Sequence, residues 1–100
     1  MNEVDFRNWL SKREVNKKVQ SDLISRLKRI EKEINHCDID QEYRSDRCEY
    51  LMSLFSHMGQ NEHMGKYPNA KFPIGKYYMS TFRHALKQYV IFCDEIISNR

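Results

Sequence analysis

Glycine and proline are scarce in this sequence, with three Gly and two Pro in 100 residues. So few turn formers disfavour a many-stranded sandwich or barrel and favour a few long helices. Long apolar runs are missing as well: nothing approaches the roughly 18 consecutive apolar residues of a membrane span. The opening Met1-Asn2-Glu3-Val4-Asp5 is too acidic and polar for a secretory leader. Cysteine is limited to Cys37, Cys48 and Cys93, an odd number with no CxxC pair. These residues are expected to be reduced thiols in a cytoplasmic protein, with Cys48 and Cys93 packed as small buried apolar groups.

The signatures of catalysis are absent too. There is no Walker A loop and no GxGxxG, HExxH or GxSxG. His36-Cys37 followed by Cys48 is not a zinc spacing, and a set drawn from Cys48, His57 and His63 fits the metal rules no better. Asp38-Ile39-Asp40 reads as a helix-entry turn. The sequence therefore predicts no catalytic residue, no cofactor, no metal and no enzyme.

What remains is a chain that can fold. Hydrophobic residues make up 40% and aromatics 12%, which argues against disorder although 31% of residues are charged. The length suits one domain over 1–100, either a whole small protein or an N-terminal domain of a longer one. Phe6, Trp9 and Leu10 have the spacing of a short first helix. Val19, Leu23, Leu27, Ile30 and Ile34, with Ile24 beside them, define a long amphipathic helix from about Asn16, its N-cap, to about Asn35. A third helix is predicted from near Asp46, with Glu49 in capping-box spacing, through Tyr50, Leu51, Leu54, Phe55 and Met58 to a stop at Gly59. All three Gly and both Pro then fall between Gly59 and Gly75, predicting one long loop at about 59–75. The last helix runs from about Lys76 to about Ile97, with Tyr78, Phe82, Ala85, Leu86, Tyr89, Val90, Cys93 and Ile97 on its apolar side. The expected fold is all-α, a bundle of four helices, or five.

The net charge of +3 conceals a pattern. Residues 1–36 hold nine basic and six acidic residues, residues 37–62 two and six, and residues 63–100 six and two. Basic groups thus collect on the second helix, the loop and the last helix, around an acidic middle. The candidate phosphate contacts are Lys12, Arg13, Lys17 and Lys18 at the entry of the second helix, Arg26, Arg29 and Lys32 along it, Lys66 and Lys71 in the loop, and Lys76, Arg83 and Lys87 on the last helix. Cations at these places suit salt-dependent, largely sequence-independent binding to nucleic acid. The competing reading is a solvated face with helical ion pairs to Glu31 and Glu33. Tyr67, Tyr77 and Tyr78, interleaved with Lys66, Lys71 and Lys76, add rings on which bases can stack, whereas Phe72 and Ile74 read as residues that pin the loop to the core.

Phe6-Arg7-Asn8-Trp9-Leu10, then Lys17-Lys18-Val19-Gln20-Ser21-Asp22-Leu23-Ile24-Ser25-Arg26-Leu27-Lys28-Arg29, and finally Phe82-Arg83-His84-Ala85-Leu86-Lys87-Gln88-Tyr89-Val90-Ile91-Phe92-Cys93 resemble in order the SAM-like core-binding domain of tyrosine recombinases. The chain is also similar to helical modules that precede nuclease domains in bacterial restriction and mobile-element proteins. The resemblance implies a SAM-like bundle of four or five helices that helps clamp duplex DNA. It implies no catalysis, because that family's catalytic residues belong to a following domain. The first functional expectation is thus a DNA-binding module. The second is a protein-interaction module, such as a phage or mobile-element factor that binds and inhibits a host protein, for which basic ends around an acidic middle suit complementary docking.

Overall fold

The computed structural model describes residues 1–72 and 76–98. Its elements are α1 (Glu3–Lys12), α2 (Lys17–Glu33), α3 (Ile39–Asp46), α4 (Glu49–Leu54), a 3₁₀ turn (Ser56–Gly59), α5 (Glu62–Gly65) and α6 (Lys76–Ser98). No strand occurs among the described residues, and the fold is an all-α bundle.

The two long helices form where the periodicity places them, and their pairing is the most extensive in the molecule. Asn16 caps α2 as expected, its Oδ1 accepting the Val19 amide at 2.9 Å. One continuous core links Phe6 and Leu10 of α1, Leu23, Ile24, Leu27 and Ile30 of α2, Ile39 of α3, Leu51 and Leu54 of α4, and Met79, Phe82, Ala85, Leu86, Tyr89 and Phe92 of α6. Phe6 sits at its centre, edge-on to Tyr89 and Phe92 at 5.0 and 5.4 Å.

The apolar stripe of α2 needs one correction. Val19 is 41% exposed, and the buried place beside it belongs to Gln20, at 4%. The Gln20 amide donates to the Val15 carbonyl at 2.7 Å and to Ser11 Oγ at 3.1 Å, satisfying polar groups of the α1–α2 turn that a valine would leave unpaired. On α6, Ile97 is likewise 55% exposed.

The middle of the chain departs most from expectation. Asp38-Ile39-Asp40 does enter a helix, with Asp38 as N-cap accepting the Asp40 amide at 3.0 Å, but that helix, α3, fills Ile39–Asp46, ahead of the expected start near Asp46. The next helix starts at Glu49 because Arg47 and Cys48 both take the left-handed conformation, at φ 56° and 63°. It ends at Leu54, four residues before Met58. The Asn61 amide closes that end by donating to the Leu54 and Ser56 carbonyls, both at 2.9 Å, and caps α5 through its oxygen. His57, Met58 and Gly59 then follow with three consecutive positive φ angles. The expected 59–75 loop thus contains a helical turn at Glu62–Gly65 and an ordered stretch pinned by Phe72, whose ring meets Phe55 at 5.3 Å and Phe82 at 5.1 Å. Ile74, with Pro73 and Gly75, lies outside the described residues.

Candidate nucleic-acid interface

Ten of the twelve predicted contacts fall into three neighbourhoods, Arg26 standing apart and the Lys76 side chain lying outside the described residues. Lys12, Arg13, Lys17 and Lys18 surround the α1–α2 turn. Lys17 and Lys18 enter α2 with no acidic residue in its first turn, whereas α1, α3, α4 and α5 each carry at least one there. Two cations at the positive end of a helix dipole are locally unfavourable and gain most from an external anion. Arg13 is different. It pairs with Glu95 of α6 at 3.3 Å and lies 4.5 Å from the centre of the Trp9 ring, while Trp9 Nε1 also donates to Glu95. It fastens α1 to α6.

The second neighbourhood is a cleft of about 330 Å³ between the end of α2 and the loop that follows α5. Lys32, Glu33, Asn35 and His36 line one side, and Lys66, Tyr67, Pro68, Asn69 and Ala70 the other. The loop is held in place at several points. Arg29 donates through Nε and Nη2 to the Lys71 carbonyl, at 2.9 Å for Nε. The Lys71 amide donates to Glu33 at 2.9 Å, and the Tyr67 and Tyr50 hydroxyls bond at 3.1 Å. That bond, with partial burial, pushes the Tyr67 phenol up to about 12. Arg29 and Glu33 therefore build the cleft, whereas Lys32 and Lys66 face it without an ion pair among the described residues. Arg26 is half-buried on α2, outside both cleft linings.

The third neighbourhood lies on α6. Arg83 and Lys87, one helical turn apart, share a shallow cleft of about 220 Å³ with His84, Ser80 and Met52. The side chains of Lys76, Tyr77 and Tyr78 lie outside the described residues. The lining of this cleft has no residue in common with that of the Lys32–Lys66 cleft. Two of the groups inferred from sequence thus line different clefts.

His36, Asn35 and Asn69 belong to the cleft and were not among the predicted contacts. His36 is one turn beyond Lys32, so helical spacing was the available signal; Asn69 arrives only by tertiary folding.

The three thiols are electrostatically quiet. Burial, reinforced by nearby carboxylates, pushes Cys37 up to about 11 and both Cys48 and Cys93 up to about 12, so little of any is thiolate at neutral pH. Cys48 is fully buried against the Ile39 carbonyl, and His63 Nδ1 is bonded to Ser53 Oγ at 2.6 Å. Among the described residues no group of three His, Cys, Asp or Glu is placed to hold a metal ion, and no helix is long and apolar enough to cross a membrane. Comparison of the chain with family models, curated proteins and solved structures returns no match.

Proposed function

We propose that the protein is a non-catalytic helical module that binds the phosphate backbone of duplex DNA in the cytoplasm, in the service of recombination, restriction or mobile elements. One observation carries this reading: the asymmetry of internal charge pairing. Nine of the fourteen carboxylates (Glu3, Asp5, Glu31, Glu33, Asp38, Asp40, Asp46, Asp94 and Glu95) accept an internal hydrogen bond or ion pair. Of the seventeen basic side chains, Arg7, Arg13, Lys28, Arg29 and Arg47 are engaged in this way. Lys12, Lys17, Lys18, Arg26, Lys32, Arg44, Lys66, Lys71, Arg83 and Lys87 have no such partner among the described residues. Pairing leaves the net charge at +3 but changes which charges are available: among the described residues the ten unpartnered cations outnumber the five unpartnered carboxylates, and phosphate is the common polyanion that meets them. The resemblance to recombinase core-binding domains supports the same reading. Titration of a labelled duplex over a salt series tests it. Contact with about five phosphates gives a slope of log K against log salt near −4 to −5, and removal of Arg26 or Lys87 flattens it. No shift at micromolar protein in low salt would end this reading.

A second reading, an interaction module that binds a host protein, has one observation in its favour. Met58, Met64, Met79, Tyr67 and Phe72 line a groove of about 220 Å³, and Met58 is 50% exposed above it. Flexible thioethers suit an adaptable protein contact. Retention of one protein partner from nuclease-treated lysate, with no shift of DNA, would favour it.

A further inference from the structure

We infer that the cleft between the end of α2 and the loop 66–71 is a receptor for a phosphomonoester, the terminal phosphate of a nucleic acid or of a nucleotide, and not another stretch of backbone-tracking surface. Lys32 enters the cleft from α2, His36 from just beyond it and Lys66 from the loop, and no acidic side chain pairs with any of the three among the described residues. The one carboxylate in the lining, Glu33, is already engaged by the Lys71 amide at 2.9 Å and by Arg29 at 4.0 Å. The carbonyls at the end of α2 are a weak opposing influence, which the cations outweigh.

The walls are prepared before any ligand arrives. Arg29 grips the Lys71 carbonyl, the Tyr67 amide donates to the Met64 carbonyl at 2.9 Å and the Ala70 amide to the Tyr67 carbonyl at 3.0 Å, which fixes the loop on which Lys66 stands. Asn35 and His36 both hold φ of 53°, a left-handed pair that turns the chain sharply around the rim. Neither is glycine, so the turn carries a local cost of a kind that accumulates at binding sites. Two lysine ammoniums and an imidazole lining one concavity offer donors for an anion with three terminal oxygens, and the two ammoniums match its roughly two negative charges, which is a phosphomonoester. A backbone diester offers two free oxygens and one charge, and a line of such groups is matched by a track of cations, not by a pocket.

The nucleic-acid source rests on the duplex-binding reading above; the nucleotide source does not. Two measurements separate them. The first compares one duplex carrying 5′-phosphates or 5′-hydroxyls, by fluorescence anisotropy. The expected result is roughly tenfold tighter binding of the phosphorylated form. In Lys32→Gln with Lys66→Gln both affinities fall and the ratio collapses to one; in Arg83→Gln with Lys87→Gln both fall and the ratio survives. The second adds inorganic phosphate or AMP to the protein alone and follows amide shifts. The Asn35, His36, Asn69 and Ala70 amides are expected to move in the wild type and to stay still in the Lys32/Lys66 double variant, whether or not duplex DNA is bound at all. Either response, abolished by that double variant, supports the pocket. Equal affinity for the two duplexes together with no amide shifts overturns it, as does any response that persists in the double variant.

Discussion

Around the chain's first residue, α3 and the second half of α6, charged and polar groups bond to one another; around the end of α2, the 66–71 loop and the first half of α6, Lys32, Lys66, Arg83 and Lys87 stand exposed without an ion pair among the described residues. In the first region the Met1 ammonium contacts Glu31 at 2.9 Å and Asp38 at 3.2 Å, Glu31 also accepts the Ile39 amide at 3.1 Å, and the buried Tyr89 hydroxyl donates to Asp40 while accepting the Asn2 amide at 2.6 Å. Asp94 takes Tyr43 and Arg47, the latter at 2.6 Å. The acidic excess of the middle segment is thus largely structural: it ties α3, which has little apolar surface, to the rest of the bundle. In the second region these four cations carry no comparable structural duty, whereas Arg29 fastens one element to another. Net charge by segment cannot tell these situations apart, because it does not say whether a charge has an internal partner.

Removing the hub of the first region has the largest expected effect. Tyr89 is fully buried between Phe6 and Phe92, so Tyr89→Ala loses a ring's packing as well as the hydroxyl and is expected to cost about 3–5 kcal/mol in urea unfolding. Tyr89→Phe keeps the ring and leaves Asn2 and Asp40 without their partner, at about 1–2 kcal/mol. Equal effects of the two variants would mean that packing does not contribute and would break the comparison.

The next test uses pH. Burial lowers the Met1 ammonium, but its hydrogen bonds to Glu31 and Asp38 and the charges of Glu31 and Asp40 outweigh that and hold it above its ordinary value of 8.0. Burial raises Asp38, yet the hydrogen bonds from the ammonium and from the Asp40 amide leave it below 3.8; Arg47 and then Tyr43 hold Asp94 below it as well. A group raised on folding contributes stability that is complete below its unfolded value and is lost as pH climbs through the folded one. A lowered carboxyl contributes stability that is present above its unfolded value and is lost as pH falls through the folded one. With a free amino terminus, urea midpoints are therefore expected to be level between about pH 5 and 8 and to fall on both sides. Glu31→Gln should lower the plateau by about 1–2 kcal/mol and flatten the alkaline limb. An unchanged alkaline limb in that variant would show that Glu31 does not hold the ammonium.

The same contrast marks how far residue patterns can be read. α2 and α6 are visible in the sequence because burial of one face writes a period of 3.6 into residue type. α3 is not, since only Ile39 is buried along it and what holds it is polar bonding to residues far along the chain, such as Tyr89 and Asp94. The break at Arg47 and Cys48 is invisible for a different reason: neither residue type favours a positive φ, so tertiary packing alone imposes it. The basic positions were all legible as charges. That Arg13 and Arg29 are internal fasteners while Lys32 and Lys66 share a cleft depends on distances that no spacing rule contains.

Among the cations the comparison becomes a difference of slopes. Lys32→Gln with Lys66→Gln is expected to weaken duplex binding roughly tenfold at low salt and to flatten the salt dependence by about 0.9 for each phosphate that is no longer neutralised. Arg47→Gln removes the same kind of charge from the first region, where Asp94 holds it, and should lower the urea midpoint while leaving the salt slope as it was. A slope that responds to Arg47 as it does to the lysines would mean that net charge alone governs binding.

Arg29 crosses the boundary, and its replacement has the smallest expected effect on stability. It belongs to the basic surface by sequence, yet its guanidinium forks onto the Lys71 carbonyl and approaches Glu33. Arg29→Lys keeps the charge and loses the fork, because an ammonium cannot present two parallel donors to one oxygen. The site is 46% exposed at the side chain, so global stability is expected to fall by only about 0.5 kcal/mol. The local consequence is larger. With the carbonyl released, the Lys71 amide loses the arrangement that presents it to Glu33, and its hydrogen exchange is expected to accelerate while amides in the α2–α6 core keep their rates. If Arg29 instead acts as a free phosphate contact, the Lys71 amide will exchange at the wild-type rate in Arg29→Lys, and Arg29→Gln will flatten the salt slope as far as Lys87→Gln does. Exchange rate and salt slope together thus assign this residue to one region or the other, since a fastener changes the first and a phosphate contact the second.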